Sequence, residues 1–413
     1  MSKEVAIIGG GVIGLFSAYY LSKSGHKIVV LDKGDMLDNC SNGNAGMIVP
    51  SHVVPLAQPG MISQGIKWMF NSKSPFYVKP RFNAELLSWG RKFYQAANQK
   101  HVEAAMPALL DISLLSKKLY QDLSSQVNDF NYEEKGLLML FQSEKVGEEE
   151  RHVGQMAENL GIEVDYLNQD EVQKLESGVQ LNAIGGVHFK SDAHLYPSKL
   201  IAFLKTELTA MNVEFLPNID VLDIEIEGGK VSQLITNKGE IKADEFVIAT
   251  GAWSAKLAKL ADEKLSILPG KGYSFTLNSP ELSPSIPSIL CEGKVAVTPM
   301  GSDLRFGGTM EITHVKDNSI NMNRVQGIVD TINSFYPDLN IGLPSKKDVW
   351  KGFRPCSPTG LPYICRSKKH SNLVYATGHG MMGLSLGPAT GKLVDEILNV
   401  KKSSIELSPF LLK

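Results

Sequence analysis

Gly9, Gly11 and Gly14, with Asp32 eighteen positions after the last of them, have types and spacing that can do recognisable chemistry. The first glycine permits a tight turn, the second lets backbone approach a pyrophosphate, and the third lets a helix lie close to a strand. A helix starting there, with Val12 and Ile13 in its first turn, offers free N–H groups and a favourable dipole to phosphate. A carboxylate such as Asp32 can accept hydrogen bonds from ribose hydroxyls. The chemistry implied is dinucleotide binding, and this geometry alone serves FAD and NAD equally.

The flanking residues supply the elements that such a site needs. Residues 4–8 are a Val/Ile run expected to form a buried parallel strand, and Ile13, Phe16, Ser17, Tyr20 and Leu21 recur at helical spacing before Gly25. Residues 27–31 read as a second strand ending at Asp32. Beyond it the regular strand–helix alternation of a nicotinamide domain does not continue, which moves the reading from NAD to FAD. A polar loop, 40–47, comes instead. Residues 85–123 and 144–160 read as helical, 136–141 and 186–189 as strands, and Pro197 opens a helix to about Ala210. Strands are expected at 213–216 and at 221–226, the latter turning through Gly228-Gly229 into 231–235, with a buried strand over 243–251 and several β runs across 272–306. Residues 373–398 repeat the strand–glycine loop–helix order of the N-terminus. The pattern predicts an α/β protein whose nucleotide domain is assembled from separated segments around a second domain.

Composition narrows the function classes. The 413 residues suit two domains, and 42 basic against 44 acidic side chains provide no basic face for nucleic acid. Cys40, Cys291, Cys356 and Cys365 form no CxxC pair and imply neither a disulfide framework nor a metal site. The apolar run 5–21 is interrupted by four glycines and lacks a cleavage site, so it reads neither as a secretory signal nor as a membrane span. A cytoplasmic protein is expected.

Several motifs together resemble the D-amino-acid oxidase superfamily of flavoproteins, and most closely its bacterial D-amino-acid dehydrogenases. They are the N-terminal Gly-Gly-Gly-Val-Ile-Gly, the loop Ser41-Asn42-Gly43-Asn44-Ala45-Gly46, Ala249-Thr250-Gly251-Ala252-Trp253-Ser254, and Pro269-Gly270-Lys271-Gly272-Tyr273-Ser274. To these are added Gly352-Phe353-Arg354-Pro355, Pro358-Thr359-Gly360-Leu361-Pro362, Ala376-Thr377-Gly378-His379-Gly380, and the segment from Pro59-Gly60 to Lys67-Trp68-Met69-Phe70. The similarity runs in order from residue 4 to about 398.

The resemblance implies a discontinuous Rossmann-like FAD-binding domain of glutathione-reductase type, formed by 1–82, 186–265 and 345–413. An α+β substrate domain with an antiparallel sheet would comprise 83–185 and 266–344. FAD would contact Lys33 after Asp32, the loop residues Asn42, Asn44, Ala45, Gly46 and Met47, then Val221, Thr250 and Gly251. At Gly378, His379, Gly380, Met381, Met382 and Gly383 a helix N-terminus would face the pyrimidine edge of the flavin, where its dipole favours the negative charge of the reduced ring.

The implied reaction is hydride transfer from the α-carbon of a D-amino acid to flavin N5, with electrons passed to a quinone or an electron-transfer protein. A quinone acceptor would bring the protein to the inner face of the cell membrane as a peripheral partner. Such chemistry needs a clamp for the substrate carboxylate, and the planar fork of an arginine suits it. The Gly-Phe-Arg-Pro context assigns this to Arg354; Lys271, Tyr273 and His52 are further candidates for the catalytic site. Relatives tend to carry a tyrosine where this chain has Cys291-Glu292-Gly293-Lys294, which leaves the side-chain preference open and admits D-proline or a hydroxy-D-proline. Three other readings stand beside this one: an oxygen-using oxidase of glycine or sarcosine type, a 2-hydroxy-acid or polyol-phosphate enzyme, and a non-catalytic flavin-binding subunit.

Overall fold

Val5, Ala6 and Ile7 have no solvent exposure because their strand, Glu4–Ile8, lies inside a six-stranded sheet between Lys27–Asp32 and Glu245–Ile248. In this computed structural model, which describes residues 2–69, 71, 73–79 and 83–412, that sheet is the first of two large ones. Met1, Phe70, Ser72, Pro80, Arg81, Phe82 and Lys413 lie outside the described residues, so the end of the Lys67–Phe70 motif and the outermost limits of two FAD-domain segments do too.

The first sheet runs Tyr363–Arg366, Leu373–Thr377, Glu245–Ile248, Glu4–Ile8, Lys27–Asp32, Glu214–Pro217, with only the first of these antiparallel. Side chains alternate between its faces, as strand geometry requires. Val5 and Ile7 join a core with Phe16, Leu200 and Val394 from the helices Val12–Lys23, Pro197–Ala210 and Gly387–Leu398. Ala6 and Ile8 point the other way, into a core shared with Leu257 of the helix Ser254–Leu260 and with Ile224 and Leu234 of a small three-stranded sheet. Both faces are thus covered, which is why its central strands read as continuous apolar runs.

The second sheet has nine strands, mostly antiparallel. It begins with the edge strand Trp350–Cys356, then Leu268–Leu277, Asp303–Ile312, Val295–Met300 and Ser288–Leu290, and continues through Leu137–Phe141 and Gly185–Phe189 to Val164–Asn168. Phe76–Val78 pairs in parallel alongside Asp303–Ile312. The helix Met322–Phe335 buries Val325, Ile328 and Ile332 in this sheet's core.

Sheet membership departs from the segment boundaries expected above. Phe76–Val78, Gly185–Phe189 and Trp350–Cys356, placed by those boundaries largely with the nucleotide segments, belong to the second sheet. Conversely, Ala105, Leu109 and Ile112 of the helix Gln99–Ser124 pack with Leu386, Ala389 and Leu393 beside the first sheet, although 83–185 was assigned to the substrate half. The helical stretch 85–123 is two helices, broken at Asn98, whose side chain caps the second by accepting from the His101 N–H (3.0 Å).

Candidate active site

The carboxyl ends of the first sheet and the strands of the second enclose a cleft of about 2070 Å³. Open α/β sheets bind ligands at just such strand ends. At its inner end Gly9 adopts φ +116°, and its N–H bonds the Leu31 carbonyl at 2.8 Å. A Cβ on Gly14 would sit 1.9 Å from the Gly9 carbonyl oxygen, so only glycine lets the helix come this close. Gly11 caps that helix without a side chain. The N–H groups of Ile13 and Gly14 have no hydrogen-bond partner among the described residues, which leaves the donors of an anion site in place.

Asp32 does more than was expected of it. Its Oδ2 accepts from the Gly10 N–H and its Oδ1 from the Gly34 N–H, each at 2.8 Å, so it braces the glycine turn from the second strand. Each carboxylate oxygen keeps a further lone pair for a ligand hydroxyl. Lys33 extends over the Trp253 ring (3.7 Å to its centroid), and Val221, Thr250 and Gly251 line the cleft with it.

The loop around Gly43 is held from the opposite sheet. Arg305 donates to the carbonyls of Asn42 (2.8 Å) and Asn44 (2.9 Å), and Ser274 Oγ donates to that of Gly43 (2.8 Å). Gly43 must be glycine, since a Cβ would meet the Trp350 ring at 2.0 Å. With three successive carbonyls tied to the second sheet, the N–H groups of Gly43 and Ala45 have no partner among the described residues, and both residues line the cleft, as do Asn44 and Met47. Asn42 and Gly46 lie behind that wall. Asn42 bonds the Leu37 carbonyl, and Gly46, at φ +78°, packs on Leu195.

Arg354 reaches the cleft from the edge strand of the second sheet. Its Nη1 donates to the Thr309 carbonyl at 2.7 Å, and no acidic side chain pairs with it among the described residues. Burial holds its guanidinium below the ordinary arginine value. Two local features make room for it. A Cβ on Gly272 would lie 2.0 Å from Arg354 Nη1, and a bulge opposite Lys271–Tyr273 turns Thr309 to φ +67°. That is a strained conformation for a β-branched residue, and it sits against the guanidinium.

The other candidates separate. Lys271 has no exposure and is not among the residues lining the cleft; it pairs with Glu311 and Asp317 (3.3 Å each) and donates to the Ser319 carbonyl. A catalytic role for Lys271 therefore has no geometric basis, because its charge is consumed by partners far along the chain. Tyr273 contributes to the cleft wall, but its ring belongs to the second-sheet core and its hydroxyl accepts from the Asn321 N–H. His52 lines the cleft, and burial lowers its pKa to about 4. His379 is buried, bonds Thr390 Oγ1 through Nε2 (2.9 Å), and is lowered to about 3 by the same cause. Both rings are neutral near pH 7.

Residues Gly378–Gly383 form a loop, not a helical turn. Gly378 and Gly380 are left-handed, and the helix begins at Gly387, with Pro388 in its first turn. His379, Gly380, Met381, Met382 and Gly383 still line the cleft, whereas Gly378 packs against Tyr363. At the position without the tyrosine, Cys291 is buried and Lys294 pairs with Glu150 at 2.9 Å on the cleft wall. Arg305 and Trp350, and the contact made by Ser41, have no signal in the sequence, since they act across 29 to over 260 residues, as when Ser41 Oγ accepts from the Val12 N–H. No cluster of three metal-binding side chains occurs among the described residues, and no helix among them is long and apolar enough to cross a membrane.

Comparison with known proteins gives this geometry a setting. The profile of the DAO family, FAD dependent oxidoreductase, matches residues 4–397. A D-amino acid dehydrogenase of Helicobacter pylori is 32% identical over 397 residues, covering 95% of this chain and 94% of its own. Among solved structures, glycine oxidase from Geobacillus kaustophilus superposes with a TM-score of 0.79 at 23% identity, covering 100% of this chain and 98% of its own. L-proline dehydrogenase from P. horikoshii does so at 0.77 and 18%, covering 99% and 96%.

Proposed function

Because the chain belongs to the DAO family of FAD-dependent oxidoreductases, we propose that its cleft oxidises D-amino acids and delivers the electrons to an acceptor other than oxygen. The observation that carries the substrate class is Arg354, a partly buried guanidinium in the cleft with no acidic partner among the described residues. A charge removed from water calls for an anion, and the planar fork matches a carboxylate.

The residues fit FAD on structural grounds. The Gly9–Gly14 turn has free N–H donors and no room for a Cβ at Gly14, Asp32 retains lone pairs, and the cleft-lining Gly43 and Ala45 have N–H groups without partners among the described residues. Bound FAD supplies the hydride acceptor. The protein's own task is positioning: Arg354 fixes the carboxylate, the Thr309 carbonyl fixes Arg354, and the second sheet holds the Asn42–Asn44 loop. Such positioning accounts for much of the acceleration in a reaction of this kind.

Arg305 tests the loop's part. Arg305→Met leaves the Asn42 and Asn44 carbonyls without their charged donor, and FAD affinity is expected to fall about tenfold. Titrating FAD into apoprotein measures this; unchanged affinity means the loop keeps its shape unaided.

Anaerobic photometry with a panel of D- and L-amino acids, D-proline and 2-hydroxy acids tests the activity. Bleaching of the flavin by D-amino acids, followed by slow reoxidation in air and fast reoxidation by a soluble quinone, is the expected result. Bleaching by hydroxy acids alone would reject the substrate class, and fast reoxidation by oxygen would make the protein an oxidase. A preference for D-proline or a hydroxy-D-proline is the variant favoured by the altered wall at Cys291–Lys294, where no tyrosine hydroxyl stands.

A further inference from the structure

Ser51 and Asp192 take no part in the mechanism above, yet they form a buried chain that ends in the cleft. Asp192 has no exposure and Ser51 has 2%. Asp192 Oδ1 accepts the Ser51 N–H at 3.0 Å, its Oδ2 accepts the Ser51 hydroxyl at 2.5 Å, and Ser51 Oγ lies 3.1 Å from His52 Nδ1.

The protons in this chain can be counted. A serine hydroxyl has one hydrogen, and here the Asp192 carboxylate receives it. Ser51 Oγ can then only accept from His52, so Nδ1 carries the proton. A neutral imidazole has one N–H, so Nε2 is left with its lone pair. Nε2 has no partner among the described residues and belongs to a half-buried side chain that lines the cleft.

We propose that Ser51 and Asp192 fix the tautomer of His52 so that its Nε2 accepts a hydrogen bond from the substrate's amino group while Arg354 holds the carboxylate. This rests on the amino-acid reading of the cleft. His52 receives no proton in the redox step; it orients a nitrogen that has at least one N–H to give, a feature shared by primary and cyclic secondary amines but absent from tertiary amines once neutral.

The same chain reverses when Asp192 is protonated. Its O–H then donates to Ser51 Oγ, the Ser51 hydroxyl donates to His52 Nδ1, and Nε2 must carry the proton. His52 now presents a donor to the amine. Burial raises Asp192 to about 7, so this reversal falls near neutral pH, whereas His52 itself stays neutral down to about 4. The charged groups facing the two ends are Lys117 at Asp192 and the Glu150–Lys294 pair at His52. Lys117 favours the ionised carboxylate, and the opposite charges of the pair offset each other at the ring.

The test uses the FAD-loaded protein with ¹⁵N-labelled histidine, His52 being assigned from the signals lost in His52→Gln. At about pH 8.5 the wild type is expected to show the Nδ1–H tautomer, passing to Nε2–H as pH falls through about 7. In Asp192→Asn the amide N–H donates to Ser51 and should hold the Nε2–H form throughout. An Nε2–H wild type at high pH, or a tautomer indifferent to Asp192→Asn, overturns the proposal. Ser51→Ala is the second probe, and loss of the pH-linked tautomer change is expected in it; its persistence likewise overturns the proposal. Kinetically, Asp192→Asn should lower kcat/KM for amino acids about tenfold at high pH while acetate, which has no amine, binds unchanged. If no amino acid reduces the flavin, the substrate reading fails by that result alone, and the tautomer measurement still decides the relay.

Discussion

Arg354→Ala is expected to lower kcat/KM for amino-acid substrates by on the order of 30- to 5000-fold while FAD remains bound. The range follows from removing one partner of a desolvated charge pair, about 2–5 kcal/mol. Most of the loss should appear in KM, because in the proposed binding mode the guanidinium grips a carboxylate that does not change along the reaction. Lysine should recover only part of it, since its ammonium cannot make two parallel bonds and would have to reach past the Thr309 carbonyl. Steady-state kinetics with matched FAD occupancy measures the effect. A variant with near-normal KM would move the substrate carboxylate elsewhere in the cleft.

Gly14→Ala acts at the other end and should weaken cofactor retention sharply. Its added methyl would fall 1.9 Å from the Gly9 carbonyl oxygen and 3.1 Å from the Gly9 carbonyl carbon, both backbone atoms that cannot swing aside. The helix must back away from the strand, which costs about 1–3 kcal/mol in packing and also withdraws the Ile13 N–H donor from the phosphates. FAD affinity is expected to fall about a hundredfold, as two or more charge-assisted bonds lengthen together. Equilibrium titration checks this. Protein purified with one FAD per chain and normal affinity would mean that the turn adapts.

The two variants lie at opposite ends of what the sequence discloses. Gly9, Gly11, Gly14 and Asp32 were readable because turn, helix start and strand end are local events whose residues lie within 24 positions of one another. The place of Arg354 at the cleft is legible in its motif, but the room made by Gly272 and by the bulge at Thr309 is not, since pairing register is a long-range property. Lys271 misled for the same reason: Glu311 and Asp317, which claim its charge, stand 40 and 46 positions away. The late start of the C-terminal helix does leave a local sign in Pro388, a residue suited to a first turn, beside glycines whose spacing equally suits an earlier start. Ser51 and Asp192 carry no pattern at all; 141 residues separate them, and only folding brings them within bonding distance.

The cleft has walls drawn from segments scattered between Ile8 and Ser385. A molecule lying along it touches chain ends and middles alike and therefore acts as a reversible crosslink that exists only in the native state. Unfolding must release it, so the free energy of unfolding becomes a function of free FAD, rising by about 2.7 kcal/mol when FAD stands at a hundred times its dissociation constant. Amino-acid changes in either half of the molecule would thus be buffered in a flavin-replete cell and exposed in a depleted one, and vitamin supply would set how much sequence variation this fold can carry.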